Sequence, residues 1–489
     1  KLRQEAIKGV QPVMVLQNQA ILRRGDVVTE EHVQLLQDLG MMQRTQQFWA
    51  SLLGVAVVLA ALVAITAAYI SRFHAHVARS ARLSTLLASL VLVVAVSGRV
   101  LAELPWAFAG YLTPVALAGM LATILLDARI GIVTVSALAV LVGLLFDFDA
   151  RYVVLGFVTG MIAVFNVHRL SQRSDLTRTG VMAGVAGLVA LAAMGVLRSD
   201  PQAVVGSWSG LANGVLSSVL ALGLLPFVEG LFGVLSSVRL MELSNPNQPL
   251  LRRLLLEAPG TYHHSLMVGN LAEAAAEAVG GDPVLCRTGA LYHDVGKVRR
   301  PYFFVENQFG DANPHDRLAP SLSTLIIMSH VKDGVELARQ AKLPEAVVDF
   351  IRTHHGTDLV RYFYLKAVNA EGAERVKEDD FRYPGPRPRT KETAIVMLAD
   401  SVEASARALT HPTPGRIEGL VRRVIRDRLL DGQLDESTLT LQDLNEIAGA
   451  FVRILTGIYH VRIEYPQLER EVQPRRHEAG QVADHRARP

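Results

Sequence analysis

Seven long apolar stretches in the first half of the chain set the strongest limit on what it can fold into. A helix needs about 20 mostly apolar residues to cross a bilayer, because each residue rises roughly 1.5 Å and every backbone polar group in the hydrocarbon must be satisfied within the protein. Phe48–Ile70, Ser84–Ala102, Trp106–Leu126, Ile130–Phe146, Tyr152–Val167, Thr179–Leu197 and Trp208–Leu235 meet that test, the fourth and fifth narrowly. They predict a seven-helix transmembrane bundle over residues 48–235 and make the lipid bilayer its first partner. Gly180, Gly184 and Gly187 suit close helix packing. Arg99, Glu103, Asp127, Arg129 and Glu229 fall at or near span ends, where a charged head reaches the interface cheaply. An anchor or sensor therefore fits better than a transport pathway, which would place ionisable groups inside.

Basic residues in short loops mark the cytoplasmic side. The loop after the first span carries Arg72, Arg79 and Arg82, and that after the fifth carries Arg169, Arg173 and Arg178. Alternate loops hold Glu103, Asp147, Asp149 and Asp200, with only Arg151 and Arg198 as positive charge. Seven crossings then leave residues 1–47 outside and everything after Ser236 in the cytoplasm. A lone cysteine, Cys286, precludes intrachain disulfides and suits that compartment. The net charge of +3 over 489 residues, with no basic stripe, gives no reason to expect a nucleic-acid partner.

Residues 1–47 contain a Gly25-Asp26 turn signal and a helical pattern from Thr29 through Leu39, and read as the C-terminal remnant of a larger external domain. The chain starts at Lys1 with neither Met nor signal-peptide pattern, so preceding sequence is expected. Residues 236–467 have helical periodicity throughout, as at Leu266, Leu271 and Ala274 or Ala394, Leu398 and Val402, and predict an all-helical soluble domain. A charged loop with Pro384, Pro386 and Pro388 interrupts it between Glu371 and Lys391, and residues 468–489 are a basic tail expected to be disordered.

His263-His264, His293-Asp294, His330, His354-His355 and Asp400 stand out in that domain. Imidazole and carboxylate without thiolate suit iron, manganese, nickel or zinc in a reactive site rather than a structural zinc site. The set exceeds the needs of one ion, and a shared Asp294 would let two ions each keep an open position. A lone buried histidine is more often a satisfied core residue than a ligand, and His315, His411 and His460 are read that way.

His264, 28 intervening residues, then His293-Asp294 followed by Val295-Gly296-Lys297 resemble the HD superfamily of metal-dependent phosphohydrolases. The runs GTYHHSLMVGNLAEAAAEAVG from Gly260, LYHDVGKVRRPYFFVENQ from Leu291, NPHD at Asn313 and FRYPGPRPRTKETAIVMLADSVEASAR from Phe381 look like the seven-transmembrane HD cyclic-di-AMP phosphodiesterases. The resemblance runs from Lys1 to about Gln467 and implies a protein of the bacterial cell membrane that turns the second messenger cyclic-di-AMP into pApA at two iron or manganese ions. It implies one ion on His264, His293, Asp294 and Asp400, and the other on Asp294, His330, His354 and His355.

His263 is left out, since neighbours on a helix cannot aim at one ion, and is read as a buried hydrogen-bonding residue. Asp294 and Lys297 are the catalytic candidates, with Lys297, one turn beyond His293, placed to touch a substrate phosphate. Arg299, Arg300 and Asn313 to Asp316 are weaker substrate contacts. Rival readings are a cyclic-di-GMP or other nucleotide phosphohydrolase, and a non-enzymatic nucleotide-sensing receptor. The cyclic-di-GMP class would show a Glu and a Gly-Tyr-Pro element after the paired histidines, whereas Gly356-Thr357-Asp358 follows here. The extracellular signal and the oligomeric state, a homo-oligomer being one option, stay open at this stage.

Overall fold

A computed structural model describes residues 20–23, 25–41, 45–167, 173–308 and 313–459. The chain divides into two units, Lys1–Met241 and Glu242–Pro489. Both are helical, and among the described residues the only bridge between extended segments joins Leu359 to Arg382.

In the first unit, α1 (Glu30–Asp38) begins where Thr29 caps it, its hydroxyl accepting from the His32 N–H. Then come α2 (Thr45–Phe73), α3 (Ala75–Arg79), α4 (Ala81–Ala102), a 3₁₀ turn (Ala109–Leu112), α5 (Val115–Leu125), α6 (Ala128–Leu145), α7 (Ala150–Val167), α8 (Arg173–Leu197), α9 (Pro201–Val205) and α10 (Trp208–Phe232). Six helical segments among the described residues are long and apolar enough to cross a membrane: Phe48–Phe73, Ala81–Ala102, Ala128–Leu145, Ala150–Val167, Ser174–Leu197 and Pro201–Phe232.

The third expected span differs from one continuous helix. Pro114 has no N–H to give and cannot sit inside a helix without breaking it, so the segment divides into the 3₁₀ turn and the short α5. The carbonyls freed at the break are satisfied from another helix: Asn213 Nδ2, buried in α10, donates to Tyr111 O at 2.7 Å and Thr113 O at 2.9 Å. Nearly every α5 residue is buried, whereas the apolar window of α2 buries none. Between α8 and α10 the backbones touch, since a Cβ on Gly214 would lie 2.2 Å from Gly184 N, and glycine is what permits that approach.

The carboxylates expected at span ends have local partners. Arg99 pairs with Glu103, Asp127 accepts from the Arg129 N–H at 2.7 Å, and Glu229 accepts from Ser236. Arg151 binds Asp149 at 2.5 Å and Asp200 at 2.7 Å, and Arg198 reaches Asp149 at 2.9 Å. These contacts put the loops around Asp149 and Asp200 at one end of the bundle, as expected for alternate loops.

The helix α11 (Ser237–Leu243) spans the division between units. The second unit continues with α12 (Pro249–Glu257), α13 (Pro259–Val279), α14 (Pro283–Tyr292), α15 (Pro320–Gln340), α16 (Glu345–Thr353), α17 (Arg361–Glu371), α18 (Lys391–Arg407), α19 (Pro414–Leu430) and α20 (Leu441–Ile458), with short 3₁₀ turns between α14 and α15. Its core joins α13, α18, α19 and α20 through Leu271, Val396, Leu398, Val421, Ile447 and Phe451, all fully buried, together with Phe350 of α16. Each such side chain contributes about 1.5–3 kcal/mol relative to exposure. From Ala394 to Asp400, α18 is buried on every side, so its middle carries Asp400 into the interior. His460 and the tail beyond it lie outside the described residues.

Candidate metal centre

Local rules of chain geometry place each donor. His264 lies in the second turn of α13, whose first position is Pro259, and points inward with 4 % of the residue exposed. Asp282 caps α14 by accepting from the Leu285 N–H, and that helix stops at His293. Asp294 then starts a 3₁₀ turn, Val295–Arg299, lying directly on α15. A Cβ on Gly296 would sit 1.8 Å from His330 O, so only glycine lets the turn carrying Asp294 seat against the helix carrying His330. His354 and His355 follow the last turn of α16, and Asp400 comes from α18.

All seven expected donors meet, in two groups. His264, His293 and Asp400 bring ligand atoms within 4.8 Å of one another, as do Asp294, His330, His354 and His355. Asp294 faces both. Its Oδ2 is 3.5 Å from His264 Nε2 and 3.3 Å from His293 Nε2, while its Oδ1 is 3.3 Å from His330 Nε2 and 3.6 Å from His354 Nε2. Asp400 Oδ1 is 3.0 Å from His264 Nε2 and 3.8 Å from His293 Nε2. His355, the most exposed histidine of the two donor groups, stacks on Tyr383 with ring centroids 4.3 Å apart.

The donor set fits cations. His293 Nε2 and Asp294 Oδ1 are buried without a hydrogen-bond partner, a costly condition that an ion would relieve. Burial opposes charge on His264 and His293, yet the carboxylates facing them prevail: Asp400 and Glu403 raise His264, and Asp294 and Asp400 push His293 up to about 10. Burial likewise opposes ionisation of Asp294 and Asp400, but Lys297 and His293 hold Asp294, and His264 and His293 hold Asp400, well below the ordinary carboxylate range. Burial, the largest influence on His354 and His355, keeps them neutral. Concentrated negative charge beside neutral imidazole nitrogen is what a divalent transition ion takes.

Lys297 Nζ lies 2.6 Å from Asp294 Oδ2, 2.8 Å from Glu306 Oε1 and 4.9 Å from the centre of the Phe304 ring. Burial opposes its charge and the two carboxylates outweigh that, so it stays an ammonium. Arg299 and Arg300, weaker candidates for substrate, instead bind Asp333 at 2.8 and 2.9 Å, and Arg299 also binds Glu336. Asn313 caps the turn Pro314–Arg317. His263 is exposed rather than buried: residues 263 and 264 point about 100° apart on a helix, and the inward direction belongs to His264. His315 is a core residue whose Nε2–H donates to Phe303 O at 2.9 Å, whereas His411 is exposed.

Sequence reasoning missed Glu306, Tyr383 and Glu403. Glu403 had a legible signal, being one helical turn after Asp400 on the same face. A cleft of about 510 Å³ opens beside Tyr383, lined also by Thr357, Arg382 and Arg387.

Fold and site together define an HD-type, metal-dependent hydrolase domain in a chain with a membrane-spanning bundle. Residues 49–236 match the family described as "7TM receptor with intracellular HD hydrolase", residues 261–405 the "HD domain", and residues 1–43 "7TM-HD extracellular". The chain belongs to this seven-transmembrane HD hydrolase family, the one represented by PgpH. It is 38% identical to "Cyclic-di-AMP phosphodiesterase PgpH" of Bacillus subtilis over 483 residues, covering 96% of this chain and 68% of that protein. It is also 38% identical to the protein of that name from Listeria monocytogenes, over 95% of this chain and 66% of the relative. The crystal structure of the L. monocytogenes PgpH HD domain in complex with cyclic-di-AMP is 49% identical and covers 44% of this chain and 100% of its own, with a TM-score of 0.42.

Proposed function

We propose that this protein hydrolyses cyclic-di-AMP to pApA with the help of two divalent ions, manganese or iron, at the inner face of a bacterial cell membrane. The observation that carries this reading is the division of Asp294, whose two oxygens face separate donor groups. His264, His293, Asp400 and Asp294 Oδ2 would hold one ion, and Asp294 Oδ1, His330, His354 and His355 the other. Ions bound there would offset the negative charge of a phosphodiester and bring the pKa of a water down towards neutrality. In the reaction, water oxygen bonds to phosphorus, the bond to the 3′-oxygen breaks, and the water's proton ends on the released 3′-hydroxyl.

The chain's own residues set the conditions for that exchange. Lys297 spends two of its three ammonium hydrogens on Asp294 and Glu306, and the third is left for a phosphate oxygen. His355 and Tyr383, at the more open side of the cluster, would meet the substrate as it enters. All seven donors come from one chain, so a second copy is not needed to complete the site. In this reading residues 1–47 lie outside as the end of a signal-receiving domain, 48–235 form the anchor, and 236–467 work in the cytoplasm.

The test is to incubate the full chain in lipid nanodiscs with cyclic-di-AMP and, separately, cyclic-di-GMP, under Mn(II) and under chelator, and to resolve the products by chromatography. We expect pApA from the adenine compound with Mn(II) and none with chelator. Turnover of the guanine compound alone, or turnover that survives chelation, would overturn the reading.

A further inference from the structure

The four most buried histidines of the cluster are not held alike. His293, His330 and His354 each direct Nδ1 at the main-chain carbonyl three residues earlier: Ala290 O at 2.6 Å, Ile327 O at 2.5 Å and Ile351 O at 2.9 Å. His264 instead directs Nδ1 at a side chain, Glu403 Oε2, at 2.5 Å. Glu403 is 5 % exposed and comes from 139 residues further along the chain, and its other oxygen accepts from Arg407 at 2.6 Å.

Asp400, Glu403 and Arg407 are spaced three and four residues apart, so α18 presents them as one stripe. Asp400 faces the centre, Glu403 lies behind His264, and Arg407 offsets the further negative charge at the rim. Without Arg407, a third carboxylate beside Asp294 and Asp400 would be costly to bury. With it, the anion can be spent on the imidazole.

We propose that Glu403 is a positioning residue for the first cation site: it fixes the His264 tautomer that turns Nε2 towards Asp294 and Asp400, and puts a carboxylate behind that imidazole where the other three have a main-chain carbonyl. This deepens the two-ion reading above and rests on it. A carboxylate behind a ligand histidine both orients the ring and strengthens it as a donor, and removing such a partner typically weakens metal affinity roughly 10- to 100-fold. A main-chain carbonyl orients as well but carries no net charge. The ion held by His264 therefore depends on one side chain for a function that the second site, at His330 and His354, draws from the backbone.

The experiment is a Mn(II) titration of the full chain in nanodiscs, followed by the electron paramagnetic resonance signal of free Mn(II), for the wild type, Glu403→Ala and Glu403→Gln. The Tm of each metal-free protein is measured alongside. We expect the wild type to bind two equivalents and Glu403→Ala to bind one as before and the other roughly 10- to 100-fold more weakly. Glu403→Gln, whose amide oxygen can still accept Nδ1–H, should fall between them with an unchanged metal-free Tm. If Glu403→Ala does not fold, Glu403→Gln decides: weakened binding of one equivalent with unchanged Tm supports the role, and wild-type affinity for both overturns it. Equal loss of both equivalents together with a lowered metal-free Tm would also overturn it, leaving Glu403 as a structural tie. A wild type that binds fewer than two equivalents would bring down the two-ion reading itself, a result distinct from two equivalents that ignore Glu403.

Discussion

The two halves of the molecule bury polar groups to opposite ends. In the membrane half most buried polar side chains close onto nearby backbone: Thr134 donates to Ile130 O and Thr159 to Leu155 O, each at 2.7 Å, and Asn213 serves both carbonyls at the Pro114 break. Among its described residues the unpartnered buried atoms, His74 Nε2 and Thr123 Oγ1, are on separate elements. In the soluble half, two adjacent residues, His293 and Asp294, leave ligand atoms unpartnered within one cluster of seven donors. Closed polar groups stabilise a bundle that water cannot enter, whereas open ones keep free energy available for a ligand.

The harshest test of this contrast is Asp294→Ala, which removes the carboxylate whose two oxygens face the two donor groups. Turnover of cyclic-di-AMP should fall on the order of 10³-fold or more, and elemental analysis should show metal lost from both positions. Near-normal product formation on chromatography would break the comparison at its centre. Metal addition comes next. Mn(II) at roughly 100 times its dissociation constant should stabilise the protein by about 2.7 kcal/mol per site. Hydrogen exchange should show the gain in α13 and α18 and leave α5 and α10 unchanged; equal protection in both halves would mean that the open cluster is not where the ion binds.

Asn213→Ala should produce a smaller effect of the opposite kind. It takes a donor from both carbonyls and leaves Thr113 O only the Val115 N–H, which we expect to cost about 1 kcal/mol, read as a lower unfolding temperature in nanodiscs, with Mn(II) stoichiometry unaltered. Asp431→Asn should have the smallest effect. Burial opposes the charge of Asp431, but Arg382 and Gln433 outweigh it and hold the carboxyl below its ordinary value. A depressed carboxylate contributes stability that is present above the unfolded pKa and lost as pH falls through the folded one. Its partial exposure limits the loss in the variant to roughly 0.5 kcal/mol at neutral pH. Denaturant midpoints of wild type and variant should converge on acidification; a difference that persists below the folded pKa would show that the pair acts through packing.

How much of this was legible in the sequence depended on whether residue type or geometry carried the information. The seven donors could be named because imidazole and carboxylate are rare in apolar helical contexts, and HDVGK tied two of them to a known pattern. The carbonyls of Ala290, Ile327 and Ile351 could not, since every residue has one and only the fold decides which meets a histidine. Lys297 was visible as a cation near the site, but its pairing with Glu306 depends on a 3₁₀ turn that periodicity does not reveal. The interrupted third span had its cue in plain view: Pro114 lies within an apolar run, and hydropathy averaged straight across it.

That interruption changes what the segment's oiliness means. Val115–Leu125 is as apolar as a stretch in contact with lipid, yet protein surrounds it on nearly every side. A saturation screen should therefore find no permissive stripe along it, with larger side chains rejected as readily as polar ones. Across Phe48–Phe73, where the bilayer supplies the surroundings, almost any greasy replacement should pass.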